Sequence, residues 1–208
     1  MYSKRELALK RAFDVAAATA GLLVSSPVLV TAAVLVKLSS PGPVLFQQER
    51  IGRGGRPFRL LKFRSMRVGS GGPLVTAASD ARVTRVGRAL RRSKLDELPQ
   101  LVNVLRGDLS LVGPRPEVAR YVALYRAEDR AFLQSVRPGI TDPTTIRFRN
   151  EEEILARSAA PERTYTEELL PTKVRMYCQY LESASFMNDI RILYETLRVV
   201  ARPSRAGG

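Results

Sequence analysis

The chain contains no histidine, no tryptophan and a single cysteine among its 208 residues. Without histidine there is no Ser-His or Cys-His nucleophile pair, no imidazole-ligated zinc and no imidazole general base. The lone thiol, Cys178, excludes an intramolecular disulfide and a cysteine-cluster metal site, and it fits a reducing compartment. Acid is scarce too: 20 Asp and Glu stand against 34 Lys and Arg, a formal charge of +14. That surplus implies polyanionic partners, and charge alone does not separate nucleic acid, anionic lipid headgroups and phosphorylated substrates. Chemistry on this chain must run on carboxylates, hydroxyls, Lys, Arg and a hard cation.

The common phosphate signatures are also missing. There is no G-x-x-x-x-G-K-[S/T] loop, Gly52-Arg53-Gly54-Gly55 does not complete G-x-G-x-x-G, and no D-x-D pair occurs. What is present, first, is a long apolar run. Val15 to Val36 is uncharged, and about 22 such residues can cross a hydrocarbon core of roughly 30 Å. Ser25-Ser26-Pro27 divides it, and an interior proline removes a backbone hydrogen bond. Both flanks are basic, with Lys4, Arg5, Lys10 and Arg11 before and Lys37, Arg50, Arg53, Arg56, Arg59 and Lys62 after. Positive flanks prefer one side of a membrane. Residues 1–40 are therefore expected to form a re-entrant helix–break–helix hairpin, broken at Ser26 and Pro27, with serine hydroxyls satisfying the freed backbone groups.

Residues 41–202 read as one compact domain and 203–208 as a tail. Pro41-Gly42-Pro43 is a breaker, and Val44–Arg50 and Arg56–Met66 flank a Gly-rich turn as a β-hairpin. Val68–Asp80 has loop composition. Val83–Leu105 is helical with Pro99 as an interruption, Glu117–Leu133 is helical and amphipathic, and Arg137–Asn150 is turn-rich. Thr164–Glu182 and Ser185–Ala201 read as two further helices. Many helices with few strands, and no β-α alternation, give an α+β, mainly helical class rather than a doubly wound sheet.

Four short segments carry chemistry. Asp96-Glu97 lies in Arg91-Arg92-Ser93-Lys94-Leu95-Asp96-Glu97-Leu98-Pro99-Gln100. Neighbouring helical side chains diverge by about 100°, so one carboxylate can face a substrate while the other takes a cation. A carboxylate can attack phosphorus to give an acyl phosphate, which calls for cations around the phosphates and a ligand for a hard metal. Lys62 and Arg64 alternate on a strand and so share a face. Arg115 is fixed between Pro114 and Pro116, which suits bidentate phosphate binding. Arg137-Pro138-Gly139 is a tight turn carrying another cation. Alone, each segment is an ordinary charged surface; in this order behind an apolar hairpin they form a strong signal.

These segments resemble the monotopic phosphoglycosyl transferases, also called bacterial sugar transferases. The resemblance rests on Lys10-Arg11-Ala12-Phe13-Asp14, the Ser-Pro break, Lys62-Phe63-Arg64-Ser65-Met66, Leu95 to Gln100, Leu111 to Pro116, Arg137 to Thr141 and Asn188-Asp189-Ile190. It covers nearly the whole chain in a minimal catalytic-unit form. It implies a monotopic protein with interfacial amphipathic helices, at the cytoplasmic face of the bacterial inner membrane. The implied reaction is ping-pong: Asp96 attacks the β-phosphate of a UDP-sugar, UMP leaves, and polyprenyl (undecaprenyl) phosphate takes the phospho-sugar. Glu97 is the implied Mg²⁺ ligand. Lys62, Arg91 and Arg115 are the implied phosphate-binding residues, Arg64 and Arg137 are further candidates, and Asp189 falls on a polar position of the family's active site. The implied partners are the UDP-sugar, polyprenyl phosphate and inner-membrane phospholipid, with no nucleic acid; a homodimer is compatible. One departure is Asp142-Pro143-Thr144-Thr145, where many members continue the Gly-Ile-Thr turn with glycine and a Trp-containing segment. The competing readings are a basic, membrane-tethered module that binds nucleic acid or lipid without catalysis, and an inactive scaffold of the same fold.

Overall fold

A computed structural model describes residues 2–69, 80–148 and 150–201. The expected loop over Val68–Asp80 falls largely outside these residues. Among them the chain is α+β and mainly helical. It begins with one long helix, α1 (Lys4–Ser39), opened by a capping box in which Ser3 accepts from the Glu6 amide and Glu6 reaches back to the Ser3 amide. At 36 residues it extends about 54 Å at 1.5 Å per residue.

The sequence pointed to two helices separated at Ser26 and Pro27, whereas α1 is assigned as helix without interruption through Pro27. The reason lies in the hydroxyls. Proline has no N–H for the carbonyl four residues back, that of Leu23, and Ser26 Oγ donates to this carbonyl at 2.8 Å instead. Ser25 Oγ and Thr31 Oγ1 add bonds to Gly21 O and Pro27 O. Around this point the helix is bare: Leu23, Val24 and Val30 are 70, 82 and 64% exposed. Both arms are held by the rest of the chain. In the first, Lys10, Asp14 and Ala18 are buried, and Asp14 Oδ1 accepts from the Leu111 amide. In the second, Ala32 and Val36 pack with Phe63 and Leu90.

The expected hairpin is present: β1 (Leu45–Ile51) pairs antiparallel with β2 (Pro57–Phe63). Its turn needs left-handed backbone at Gly54 and Gly55 (φ 67° and 73°), which glycine adopts without a Cβ clash. The stretch read as one helix over 83–105 is divided into α2 (Arg85–Arg92) and α3 (Gln100–Arg106), joined through a 3₁₀ turn at Leu95–Glu97. The division falls at Ser93-Lys94 rather than at Pro99, because Lys94 is left-handed (φ 57°), while Pro99 caps the start of α3, where a missing N–H is harmless.

A second strand pair went unforeseen. β3 (Ser110–Val112) and β4 (Gly139–Thr141) pair in parallel across the main core. Between them lie α4 (Ala119–Val122) and α5 (Ala127–Leu133), two short helices where one was expected. The remaining helices are α6 (Pro143–Arg147), α7 (Glu151–Ala156), α8 (Pro161–Thr164), α9 (Leu170–Glu182) and α10 (Phe186–Ala201), with a π-helical turn at Tyr165–Leu169 absorbing the approach to Pro171. The main core joins Ala18, Leu60, Val104, Leu109, Tyr177 and Leu181, so the first arm of α1 contributes to the domain's interior. Cys178 of α9 is partly buried and packs against that core.

Candidate active site

The site starts from a strained residue. Lys94 is the single non-glycine with positive φ among the described residues, a conformation costing a side-chain-bearing residue roughly 1–2 kcal/mol. Its turn ends α2 and starts a new helical run in which Asp96 and Glu97 occupy the first turn. Gly87 lets α2 press its backbone onto the Ser65 carbonyl, leaving no room for a Cβ. This approach brings Arg91 to β2's exit, where its Nε donates to Ser65 Oγ at 3.0 Å.

The two adjacent carboxylates meet opposite surroundings. Glu97 Oε1 accepts from Lys62 Nζ at 2.9 Å and Arg115 Nη2 at 2.7 Å. These cations hold its carboxyl well below the ordinary range against the opposing effect of burial. Asp96 is 7% exposed, and its Oδ1 is sealed from water without a hydrogen-bond donor. Burial, reinforced by the charge of Glu97, pushes the Asp96 carboxyl up, while Lys62, Lys94 and Arg91 pull it down. Burial also lowers Lys62, opposed by Glu97.

Arg115 is aimed by its neighbours. Beyond Glu97 it reaches the Ile140 carbonyl at 3.4 Å. The next acid, Glu117, is clamped by Arg50 Nη1 at 3.0 Å and by Tyr165 OH at 2.5 Å, and Arg50 also bonds the Pro116 carbonyl. Glu117 and Tyr165 were not singled out from the sequence; the place of Glu117 directly after Pro114-Arg115-Pro116 was the available signal. Asp142 is fully buried and caps α6 through the Thr144 and Thr145 amides. Its charge also favours the guanidinium of Arg115. The unusual Asp142-Pro143 therefore begins a helix beside the site.

Of the residues chosen from sequence, Lys62, Glu97 and Arg115 form one ion cluster, with Asp96 alongside and Arg91 within electrostatic reach. Arg91 also pairs with Glu152 of α7 at 3.2 Å. Three others make different contacts. Arg64 does not share a task with Lys62: its guanidinium binds the carbonyls of Val36, Ser40 and Pro41 and so fastens the end of α1. Arg137 Nε donates to Gly107 O, at the end of α3. Asp189 accepts from Lys10 Nζ, Tyr2 OH and Tyr180 OH, tying α10 to the start of α1. In each case the partner is a backbone carbonyl or a side chain remote in sequence.

Among the described residues no three carboxylate, cysteine or histidine side chains group into a metal cage, so a metal held here would rest on the single carboxylate of Glu97. Glu97 Oε1 is occupied by both cations, whereas Oε2 is met only by Arg115 Nη1 at 3.5 Å. A hard carboxylate oxygen with no sulfur or imidazole nearby suits Mg²⁺, which keeps waters and takes phosphate oxygens for its other positions.

The arrangement is a buried carboxylate beside a carboxylate gripped by two cations, and comparison with known proteins adds the family. The family model for bacterial sugar transferases matches residues 5–203. A UDP-glucose:undecaprenyl-phosphate glucose-1-phosphate transferase of Escherichia coli is 42% identical over 194 residues, covering 91% of this chain and 39% of its own length. A Caulobacter vibrioides protein of the same description is 41% identical over 192 residues, 90% of this chain and 68% of its own. The exopolysaccharide production protein PSS of Rhizobium leguminosarum is 37% identical over 212 residues, 98% of this chain and 99% of its own. The chain thus spans about two fifths of the first relative and nearly all of the third. With the family model covering almost every residue, the chain belongs to the bacterial sugar transferase family.

Proposed function

We propose that this protein transfers a sugar-1-phosphate from a UDP-sugar to undecaprenyl phosphate, the membrane step that opens assembly of a glycan such as an exopolysaccharide. The observation that carries the reading is the opposite state of two neighbouring carboxylates: Asp96 sealed with an unpartnered oxygen, Glu97 gripped by Lys62 and Arg115. An Asp96 oxygen attacks the β-phosphorus, the P–O bond to the α-phosphate breaks, and UMP leaves with the electron pair. A phosphate oxygen of the polyprenyl acceptor then attacks the same phosphorus and returns the electron pair to Asp96. Lys62, Arg91 and Arg115 neutralise the diphosphate. Glu97 would hold a Mg²⁺ ion, which when bound would supply neutralisation of phosphate charge.

Membrane placement follows the same reading. Lys10 is bonded to Asp189 and Val112 O at one end of α1, and Arg64 to Val36 O at the other. Two ends bound to one domain lie on one side of a bilayer, which supports a re-entrant, monotopic α1 whose bare middle enters lipid. The domain then faces the cytoplasm, where UDP-sugars are made.

The test is UMP release from a panel of UDP-sugars in detergent with undecaprenyl phosphate, with and without EDTA, and intact-mass analysis with donor alone. The expected result is Mg²⁺-dependent UMP release and a phospho-sugar adduct on Asp96. UMP release that demands both substrates together and never yields the adduct would overturn the two-step route.

A further inference from the structure

The helical run that follows the carboxylate pair has a polar stripe where a core-facing helix is normally apolar. From Leu95 the backbone stays helical through Leu98 (φ −54°, ψ −35°) and Pro99 (φ −58°, ψ −18°) into α3. Gln100 and Asn103 share a face of α3, and Asp96 sits four residues before Gln100 in the 3₁₀ turn that leads into it. Asn103, fully buried, is satisfied: it accepts from the Leu61 amide and donates to Arg59 O and Asp108. Gln100 is 1% exposed and is not satisfied, because its Nε2 has no acceptor. One turn earlier the orphan is of the opposite kind, the Asp96 Oδ1 acceptor without a donor.

Buried polar groups left unmade work against folding. A donor and an acceptor orphaned four residues apart are explained together if they serve each other in another state of the site. A glutamine amide can reach an aspartate one turn away on a helix, and a bond to a charged carboxylate is stronger than a neutral one.

We propose that Gln100 is a positioning residue for the nucleophile: its amide N–H turns onto Asp96 Oδ1 when the carboxylate is set for attack, fixing the carboxylate plane so that Oδ2 faces the β-phosphorus. This rests on Asp96 being the nucleophile. Gln100 touches neither substrate nor metal in this role, so its loss acts on the rate of phosphorus transfer and leaves donor binding intact.

The experiment compares wild type with Gln100→Met and Gln100→Glu, measuring thermal stability, KM for the UDP-sugar, and the single-turnover rate of adduct formation with donor alone. Methionine has similar volume and no orphaned donor, so that variant should melt at or above the wild-type temperature. Its KM should stay within about twofold, while adduct formation slows by about tenfold or more. Glutamate, which offers an acceptor in place of the donor, should be slower still. A methionine variant that forms adduct at the wild-type rate overturns the proposal. So does one that loses stability, KM and rate together, the mark of a packing role. If wild-type protein forms no adduct, the two-step reaction itself fails and Gln100 loses its task; an adduct in wild type confines any failure to Gln100.

Discussion

Burial and the neighbouring charge of Glu97 hold the Asp96 carboxyl above its ordinary range, and this has a consequence for stability. A carboxyl raised in the folded state favours folding with its proton on; that contribution is complete below the unfolded pKa and is lost as pH rises through the folded one. Once ionised, Asp96 therefore works against the fold. Asp96→Asn should abolish turnover yet raise the melting temperature of metal-free protein at pH 8, with the difference shrinking as the pH is lowered. Thermal melts across that range check it, and a variant less stable than wild type at pH 8 counts against the electrostatic account. Sequence made Asp96, Glu97 and Arg115 legible because adjacency and flanking prolines are local facts. Arg64 and Arg137 were chosen by the same local logic and Asp189 from the family resemblance; their contacts are with Val36 O, Gly107 O and Lys10, which only the folded chain brings near.

Among the elements, the β-hairpin and α1 were readable because a glycine-rich turn and a long apolar run are strong local signals. The pairing of β3 with β4 was not: three-residue strands carry no alternation to detect, and the partners lie far apart in sequence. The break in α2–α3 was misplaced because proline is conspicuous in a sequence and a left-handed lysine is not. The joint in α1 offers a direct test. Ser26 Oγ supplies the hydrogen bond that Pro27 cannot, and losing a bond of this kind costs about 1 kcal/mol, more where water is excluded. Ser26→Ala should lower stability in detergent by about that amount. In a Pro27→Ala background the backbone N–H returns to the Leu23 carbonyl, so the same serine change should cost much less. A double-mutant cycle on melting temperature reads the coupling, and strictly additive effects would show that the hydroxyl does not replace the missing amide.

For the whole molecule, the decisive question is which side of the bilayer holds the start of α1. Lys4 is exposed and lies outside the capping contacts of Ser3 and Glu6, so Lys4→Cys should not disturb the helix. In intact cells that cysteine should resist a membrane-impermeant maleimide and react after lysis. Labelling before lysis would place the N-terminus outside and remove the re-entrant arrangement. The design is helped by the native thiol. Cys178 packs against the main core, and burial together with Asp129 pushes its pKa up to about 11. The thiolate is the form that reacts, and this shift keeps it scarce at neutral pH. Cys178 should therefore react with maleimides more slowly than an exposed thiol, and the wild-type chain supplies the labelling background. Spin labels or fluorophores can be installed one at a time along α1 and the domain surface, with the wild-type chain as control, and depth in the bilayer measured.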